Sequence, residues 1–240
     1  MNIYTDFIIN DLVNLLPSID KENNVVAVYL GGSMSRGDYI VGISDIDIYV
    51  VVNNIEKTNQ INLSIQDIAR HKLNELLSWC PDGVTVAFTT YNEVKEGKSW
   101  LGSNTEYYSF QETGKLLYGK DIKQEILKPT ESDIIHTSQQ AIMNLKQIVQ
   151  QDVSNIKKDK YFIRCIFGAA FSAMFFYLCC NKIYIRGKEK IVFEFGNINP
   201  SQSETAKEIL HLWNVYGQKQ LTDSEIDKLI NFTKVIMNDM

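Results

Sequence analysis

The stretch "GGSMSRGDYIVGISDIDIYV", residues 31–50, decides how this chain is read. Its second half is a run of Ile, Val and Tyr interrupted by Asp45 and Asp47, two residues apart. Side chains alternate between the faces of a strand, so both carboxylates project from one face, roughly 7 Å apart along the chain. Carboxylates on an apolar strand repel each other and are costly to bury unpaired. A divalent cation removes that cost. Mg²⁺ is hard and octahedral, and combines one or two carboxylates with the phosphate oxygens of a substrate. The turn that starts at Gly31 and Gly32 lies just upstream and ends in Ser33. Glycine lets a backbone approach a phosphate closely, and such a turn offers N–H donors and a hydroxyl. Arg36 follows and can pair with an anionic phosphate. A lone DxD or a lone Gly-Ser turn carries little weight; the joint arrangement is the signal.

The flanking sequence places this stretch in a domain. "NNVVAVYL", residues 23–30, reads as a buried strand broken by Gly31 and Gly32, and "SDIDIYVVV", residues 44–52, as a second strand. Residues 4–16 carry Phe7, Ile8, Leu12, Leu15 and Leu16 at helical spacing, and residues 60–79 form a second amphipathic pattern. "PDG" at 81–83 is turn chemistry, and "VTVAFTTY", residues 84–91, is a third strand. A hairpin-like link joins the first two strands, which predicts a mixed sheet rather than a doubly wound parallel one. From about Thr130 the strand signals fade. Helices are expected over 131–156, capped by Ser132, over 160–181, over 203–217, capped by Ser203 and closed at Gly217, and from Thr222, with Glu225 completing a capping box. "KIYIRGKEKIVFEF", residues 182–195, reads as a short hairpin turning at Gly187. The expectation is α+β: a domain over 1–128, then a helical one over 129–240.

Composition narrows the function. The chain has 240 residues and a net charge of −5, which argues against a nucleic-acid surface and suits a cationic small molecule. The N-terminus carries acids where a secretory signal carries bases, so a cytoplasmic protein is expected. The uncharged run at 165–181 is short for a membrane span and reads as a buried helix, so no membrane partner is expected. Cys80, Cys165, Cys179 and Cys180 form no CxxC pair and read as buried thiols of a reducing compartment. His71, His136 and His211 stand singly, and read as surface residues.

"LGGSMSRGDYIVGISDIDIYVVV", residues 30–52, resembles the signature of the DNA polymerase β-like nucleotidyltransferase superfamily, in which Gly-Ser is followed at this distance by DxD. "VTVAFTT" and "GKLLYGKDI" resemble a later strand and the "LYG" segment of those families, and the layout with a C-terminal helical domain is similar to the aminoglycoside nucleotidyltransferases. The resemblance implies a polymerase-β-like domain with a mixed sheet, followed by a helical bundle that helps enclose the acceptor. It implies transfer of a nucleoside monophosphate, most often AMP from ATP, onto a hydroxyl. Asp45 and Asp47 would bind two Mg²⁺ ions, Gly32 and Ser33 would hold the triphosphate, and Arg36 would offset its charge. The family pattern has a third carboxylate immediately before the "VTV" strand, where this chain has Gly83; Asp82 is one residue away and of opposite strand parity unless a bulge re-aims it. Glu93, Glu106, Glu112, Glu194 and Glu204 are the substitutes considered. The expected acceptor is small, polar and hydroxylated, with aminoglycoside antibiotics, and hence antibiotic resistance, as the leading case. A protein or RNA acceptor of the toxin–antitoxin type, and a catalytically impaired nucleotide-binding module, are the alternatives. Oligomeric state has no signature in the sequence.

Overall fold

Val25–Leu30 (β1) and Ile46–Val52 (β2) pair antiparallel, with Tyr29 opposite Tyr49 and Leu30 opposite Ile48. The computed structural model describes residues 7–40, 43–73, 84–99, 101, 104–150 and 158–238. Two compact units divide the chain, Met1–Lys128 and Pro129–Met240.

In the first unit a π-helical turn, Phe7–Leu12, leads into the helix Val13–Ile19 (α1), which precedes β1. A five-residue helix, Gly32–Arg36 (α2), fills the link between β1 and β2. After β2 come Asn59–Leu73 (α3) and Val84–Thr90 (β3). Tyr91–Lys95 (α4), Asn104–Thr113 (α5) and Lys115–Gly119 (β4) complete the unit. The sheet order is β3-β2-β1-β4. The β2–β3 pair is parallel, whereas β1 pairs antiparallel with both β2 and β4. This is the expected α+β fold with a mixed sheet. The parallel pair follows from α3, because a crossover helix returns the chain in the same direction while the short link at α2 reverses it.

The strand period of two sorts the residues of β1 and β2 onto two apolar layers. Val28, Leu30, Ile46, Ile48, Val50, Val52 and Val84 pack on one face with Leu12 and Leu16 and with Ile61 and Ile65 of α3. Ala27, Tyr29 and Val51 pack on the other with Val94, Leu101 and Phe110, and with Ile122 and Ile126. Asp47 shares the parity of Tyr49 and Val51, so the acid belongs to this second face. Gly119 ends β4 at φ +82, where a Cβ would stand 2.2 Å from the Val26 carbonyl oxygen, so only glycine fits.

In the second unit Glu131–Gln150 (α6) and Lys160–Cys180 (α7) are followed by Lys188–Ile198 (α8), Ser203–Tyr216 (α9) and Asp223–Asn238 (α10). α7 is the packing axis, in contact with α6, α8 and α10. Phe167 meets Trp213 edge-on, with ring centroids 5.2 Å apart, and Tyr216 at 5.6 Å. Among the described residues, α7 is the one helix long and apolar enough to cross a membrane, and 61% of its apolar window is buried. Its Phe167, Phe171 and Phe175 are core residues.

Three local expectations are corrected. Residues 188–198 are helical and Gly187 is their N-cap at φ +94, not a hairpin turn. Ile191, Val192 and Phe195 are buried at helical spacing, and that burial outweighs the strand preference of Ile, Val and Phe. The cap of α6 is Thr130 rather than Ser132: its hydroxyl accepts from the Asp133 N–H at 3.2 Å, and the Asp133 carboxylate accepts from Thr130 N at 3.3 Å. Ser203 is the first helical residue of α9, preceded by Gln202. The Thr222–Glu225 capping box and the Gly217 end of α9 are present as expected.

Tyr29 ties the end of β4 to the sheet. Its hydroxyl donates to Asp121 Oδ1 at 2.9 Å and accepts from the Ile122 N–H at 2.7 Å. Burial, with Asp121 beside it, pushes the Tyr29 phenol far above its usual range. The folded state therefore keeps this proton after the unfolded chain releases its own, and the contribution is present below about pH 10 and lost as pH rises beyond it. Tyr29→Phe should cost about 1–3 kcal/mol at neutral pH, because the Ile122 amide loses its partner. Urea denaturation at pH 7.5 and pH 10.5 checks both points: the gap between wild type and variant should narrow at the higher pH.

Candidate active site

The turn before the acids is built on backbone hydrogen bonds that reach β2 directly. The Gly31 N–H donates to the Asp47 carbonyl oxygen at 2.8 Å, which extends the β1–β2 pairing into the turn. Gly32 then adopts φ +59, a left-handed conformation that favours glycine. A Cβ there would lie 1.6 Å from Asp47 Oδ2, and one at Gly31 would lie 2.2 Å from the Tyr49 ring. Gly32 is required by its left-handed backbone and by close approach, since the Asp47 carboxylate lies against its α-carbon, whereas a side chain at Gly31 would have to displace the Tyr49 ring. Ser33 and Ser35 are buried within α2, and the Ser35 hydroxyl donates to the Gly32 carbonyl at 3.0 Å. Gly37, at φ +87, closes the helix with its N–H on the Ser33 carbonyl at 3.0 Å.

Asp47 lies within β2, whereas Asp45 stands one residue before the first ladder residue, Ile46. Both are half-buried. Asp45 is approached through a turn in which the Ser44 N–H donates to the Ile40 carbonyl at 2.9 Å and the Ser44 hydroxyl accepts from the Ile40 N–H at 3.0 Å. From the neighbouring strand the Thr85 hydroxyl donates to Asp45 Oδ2 at 3.2 Å. The parallel register sets Thr85 opposite Asp47, so the odd-numbered residues of β3 share the face of the acids. Arg36 is 3.2 Å from Asp38, Nε to Oδ1, inside the "RGD" tripeptide. A guanidinium has five donors, so this pair still allows a contact with phosphate.

The substitutes for a third carboxylate fall in different places. Glu93 caps α4: it accepts from the Thr90 N–H at 2.7 Å and from the Thr89 and Thr90 hydroxyls, and these bonds, the backbone one first, hold its carboxyl below the usual range. It follows the far end of β3, five strand positions beyond Thr85, a separation of about 16 Å. Glu106 and Glu112 are on α5, half-buried and exposed respectively. In the helical unit, Glu194 accepts from Asn197, and exposed Glu204 pairs with Lys207. His136 and His211 are exposed. Asp82 and Gly83 lie outside the described residues, as do Cys80 and Trp100. The residues absent from the reading of sequence alone are Ser44, Tyr49 and Thr85. Thr85 was legible only in its parity along β3, shared with Ala87; that this is the face of the acids follows from the β2–β3 register.

Among the described residues no group of three or more His, Cys, Asp or Glu could hold a metal ion by itself. Two half-buried carboxylates at one strand end nevertheless fit a hard cation that completes its shell with phosphate oxygens and water, as Mg²⁺ does.

A model of the nucleotidyltransferase domain matches residues 12–160. The chain belongs to this family. No curated protein matches it. Membership makes nucleotidyl transfer the reaction class and a nucleoside triphosphate the substrate, and the nucleotidyltransferase match begins at Leu12, covers the whole sheet and continues through α6.

Gly32, the first residue of α2, and Gly37, which follows its end, separate site geometry from strain. Gly32→Ala has to displace the Asp47 carboxylate, whereas a Cβ at Gly37 meets nothing within 4 Å. Gly37→Ala should cost about 1–2 kcal/mol of stability from its left-handed backbone and leave transfer within a few-fold. Gly32→Ala should lower transfer by about 100-fold or more while retaining the far-ultraviolet circular dichroism of the fold.

Proposed function

We propose that this nucleotidyltransferase moves a nucleoside monophosphate, AMP from ATP in the leading case, onto a hydroxyl of a small, polar, cationic acceptor such as an aminoglycoside, and depends on Mg²⁺. One observation carries the reading: Asp47 is pressed against the glycine turn, so metal-ligand chemistry and a phosphate seat share one strand end. The acceptor class rests on charge. A net −5 attracts amines and repels polyanions. The helical unit, residues 129–240, is assigned to acceptor recognition and the unit over 1–128 to catalysis.

In this mechanism Gly32 allows the turn backbone close to the triphosphate, and the Ser33 hydroxyl and the first-turn amides of α2 are donors to its oxygens. Arg36 offsets part of the negative charge. Asp45 and Asp47 hold up to two Mg²⁺ ions, which when bound neutralise phosphate charge and acidify the acceptor hydroxyl. The acceptor oxygen forms a bond to the α-phosphorus, the bond from that phosphorus to the bridging oxygen breaks, and pyrophosphate leaves. The acceptor proton passes to a base, assigned to Asp82. Most of the rate enhancement is positioning and electrostatics, since the chain forms no covalent bond to the nucleotide.

Incubation with Mg²⁺ and α-labelled ATP or GTP against aminoglycosides, lincosamides, protein extract and tRNA tests the reading. Label should pass to the aminoglycoside, and Asp47→Asn should abolish it. Label passing only to protein or tRNA would overturn the acceptor class, and failure to bind any nucleotide with Mg²⁺ would overturn the whole. Asp82→Asn should lower kcat by about 100-fold or more and leave nucleotide affinity within a few-fold if Asp82 is the base.

A further inference from the structure

The two acids are held in place by different means. Asp47 is fixed by the β2 ladder, by the Gly31 N–H on its carbonyl, and by the Gly32 α-carbon against its carboxylate. Asp45 has no ladder position, because β2 begins at Ile46. A metal ligand has to be held to within about 0.5 Å, so a carboxylate just outside a strand needs an anchor from elsewhere.

We propose that Thr85 is one such anchor: a positioning residue whose hydroxyl helps fix the Asp45 carboxylate for divalent cation binding. The inference rests on the metal role proposed above for Asp45 and Asp47. The parallel register places Thr85 beside Asp47, one strand spacing away, and on the same face. From there its hydroxyl crosses to Asp45 Oδ2 at 3.2 Å, so one side chain of β3 touches the ligand set that β2 supplies. Threonine suits the task. Its β-branch restricts χ1 in a strand, which aims the hydroxyl. The plain alternative is that Thr85 is only a strand former on β3, which is an edge strand, where its side chain is exposed. In that case removal of the hydroxyl has no effect on cation affinity.

The test reads cation binding directly, using the full chain and Mn²⁺ as a paramagnetic stand-in for Mg²⁺. Electron paramagnetic resonance titration is made with a non-hydrolysable triphosphate analogue present, on wild type, Thr85→Val, Thr85→Ser and Asp47→Asn. Thr85→Val should weaken Mn²⁺ affinity by about 10-fold, the lower end of what loss of a ligand-orienting group costs. Thr85→Ser should stay within about 3-fold of wild type, and the metal-free melting temperature of both should be unchanged within about 3 °C. The inference is overturned if Thr85→Val binds Mn²⁺ as wild type does while Asp47→Asn does not, or if Thr85→Ser is as weak as Thr85→Val. If wild type and Asp47→Asn bind Mn²⁺ alike, the metal role of the acids fails, and the role of Thr85 falls with it.

Discussion

The first unit depends on one close approach: the Asp47 carboxylate lying against the α-carbon of Gly32. It links three levels of structure. Antiparallel pairing of β1 with β2 carries the chain to Gly31, whose N–H bonds the backbone of Asp47. The left-handed turn at Gly32 lifts the chain over that strand end and starts α2. The turn and the acid therefore cannot move independently. Any side chain at Gly32 would separate them, which is why the sequence places its least bulky residue beside a charged one. The proposed phosphate seat and the proposed metal ligand Asp47 share this contact, so one approach would preorganise both.

The legible part of the fold was the part written in short periods. Alternation within "SDIDIYVVV" gave both the strand and the shared face of the acids, and Gly31 with Gly32 gave the break. These signals are local, so sequence alone carries them. Register between strands is not local. That β4 would lie beside β1, and that Thr85 rather than Val84 would face Asp45, depends on the β1–β4 and β2–β3 pairings, whose partners are far apart in sequence. Parity along β3 was readable; the hydroxyl-to-carboxylate distance was not. The misreading at Gly187 has the opposite cause. Its flanks, "IYI" and "IVFEF", have strand propensity, yet packing of Ile191, Val192 and Phe195 in the helical unit overrides it. Thr130 displaced Ser132 as the cap of α6 by one turn geometry that propensity cannot rank.

Several acids of the chain are taken up by helix capping, as their hydrogen bonds show, whereas Asp45 and Asp47 are not. Glu93, Glu225 and Asp133 each accept from the residue three positions earlier and so close a helix start. Hydrogen bonds from the threonine backbone N–H first, and then from threonine hydroxyls, favour the charged carboxylate and hold Glu93 and Glu225 below the usual range. Such an acid is occupied by the fold and is a poor base. Asp45 and Asp47 stand at the opposite end of the β2–β3 pair from Glu93, where the register starts rather than where it ends. Identity of residue type therefore says little about role here; position relative to the helix starts says more.

The proposed site opens where the second apolar layer of the sheet ends. One face of the sheet is covered from β1 to β3 by α1 and α3, and its residues on all three strands are apolar. The other face is covered by Phe110, Leu101 and Val94 over β1 and β2, and this apolar layer does not include Thr85 or Ala87. Exposure along β3 follows: Thr85 is exposed, Ala87 is half-buried, and Thr89, near the α4 cap, is buried. An apolar side chain at position 85 would gain little burial, because the position is exposed. The Thr85 side chain reaches Asp45. The proposed site therefore lies at the strand end that the second apolar layer leaves uncovered, where the edge strand brings the Thr85 hydroxyl to Asp45.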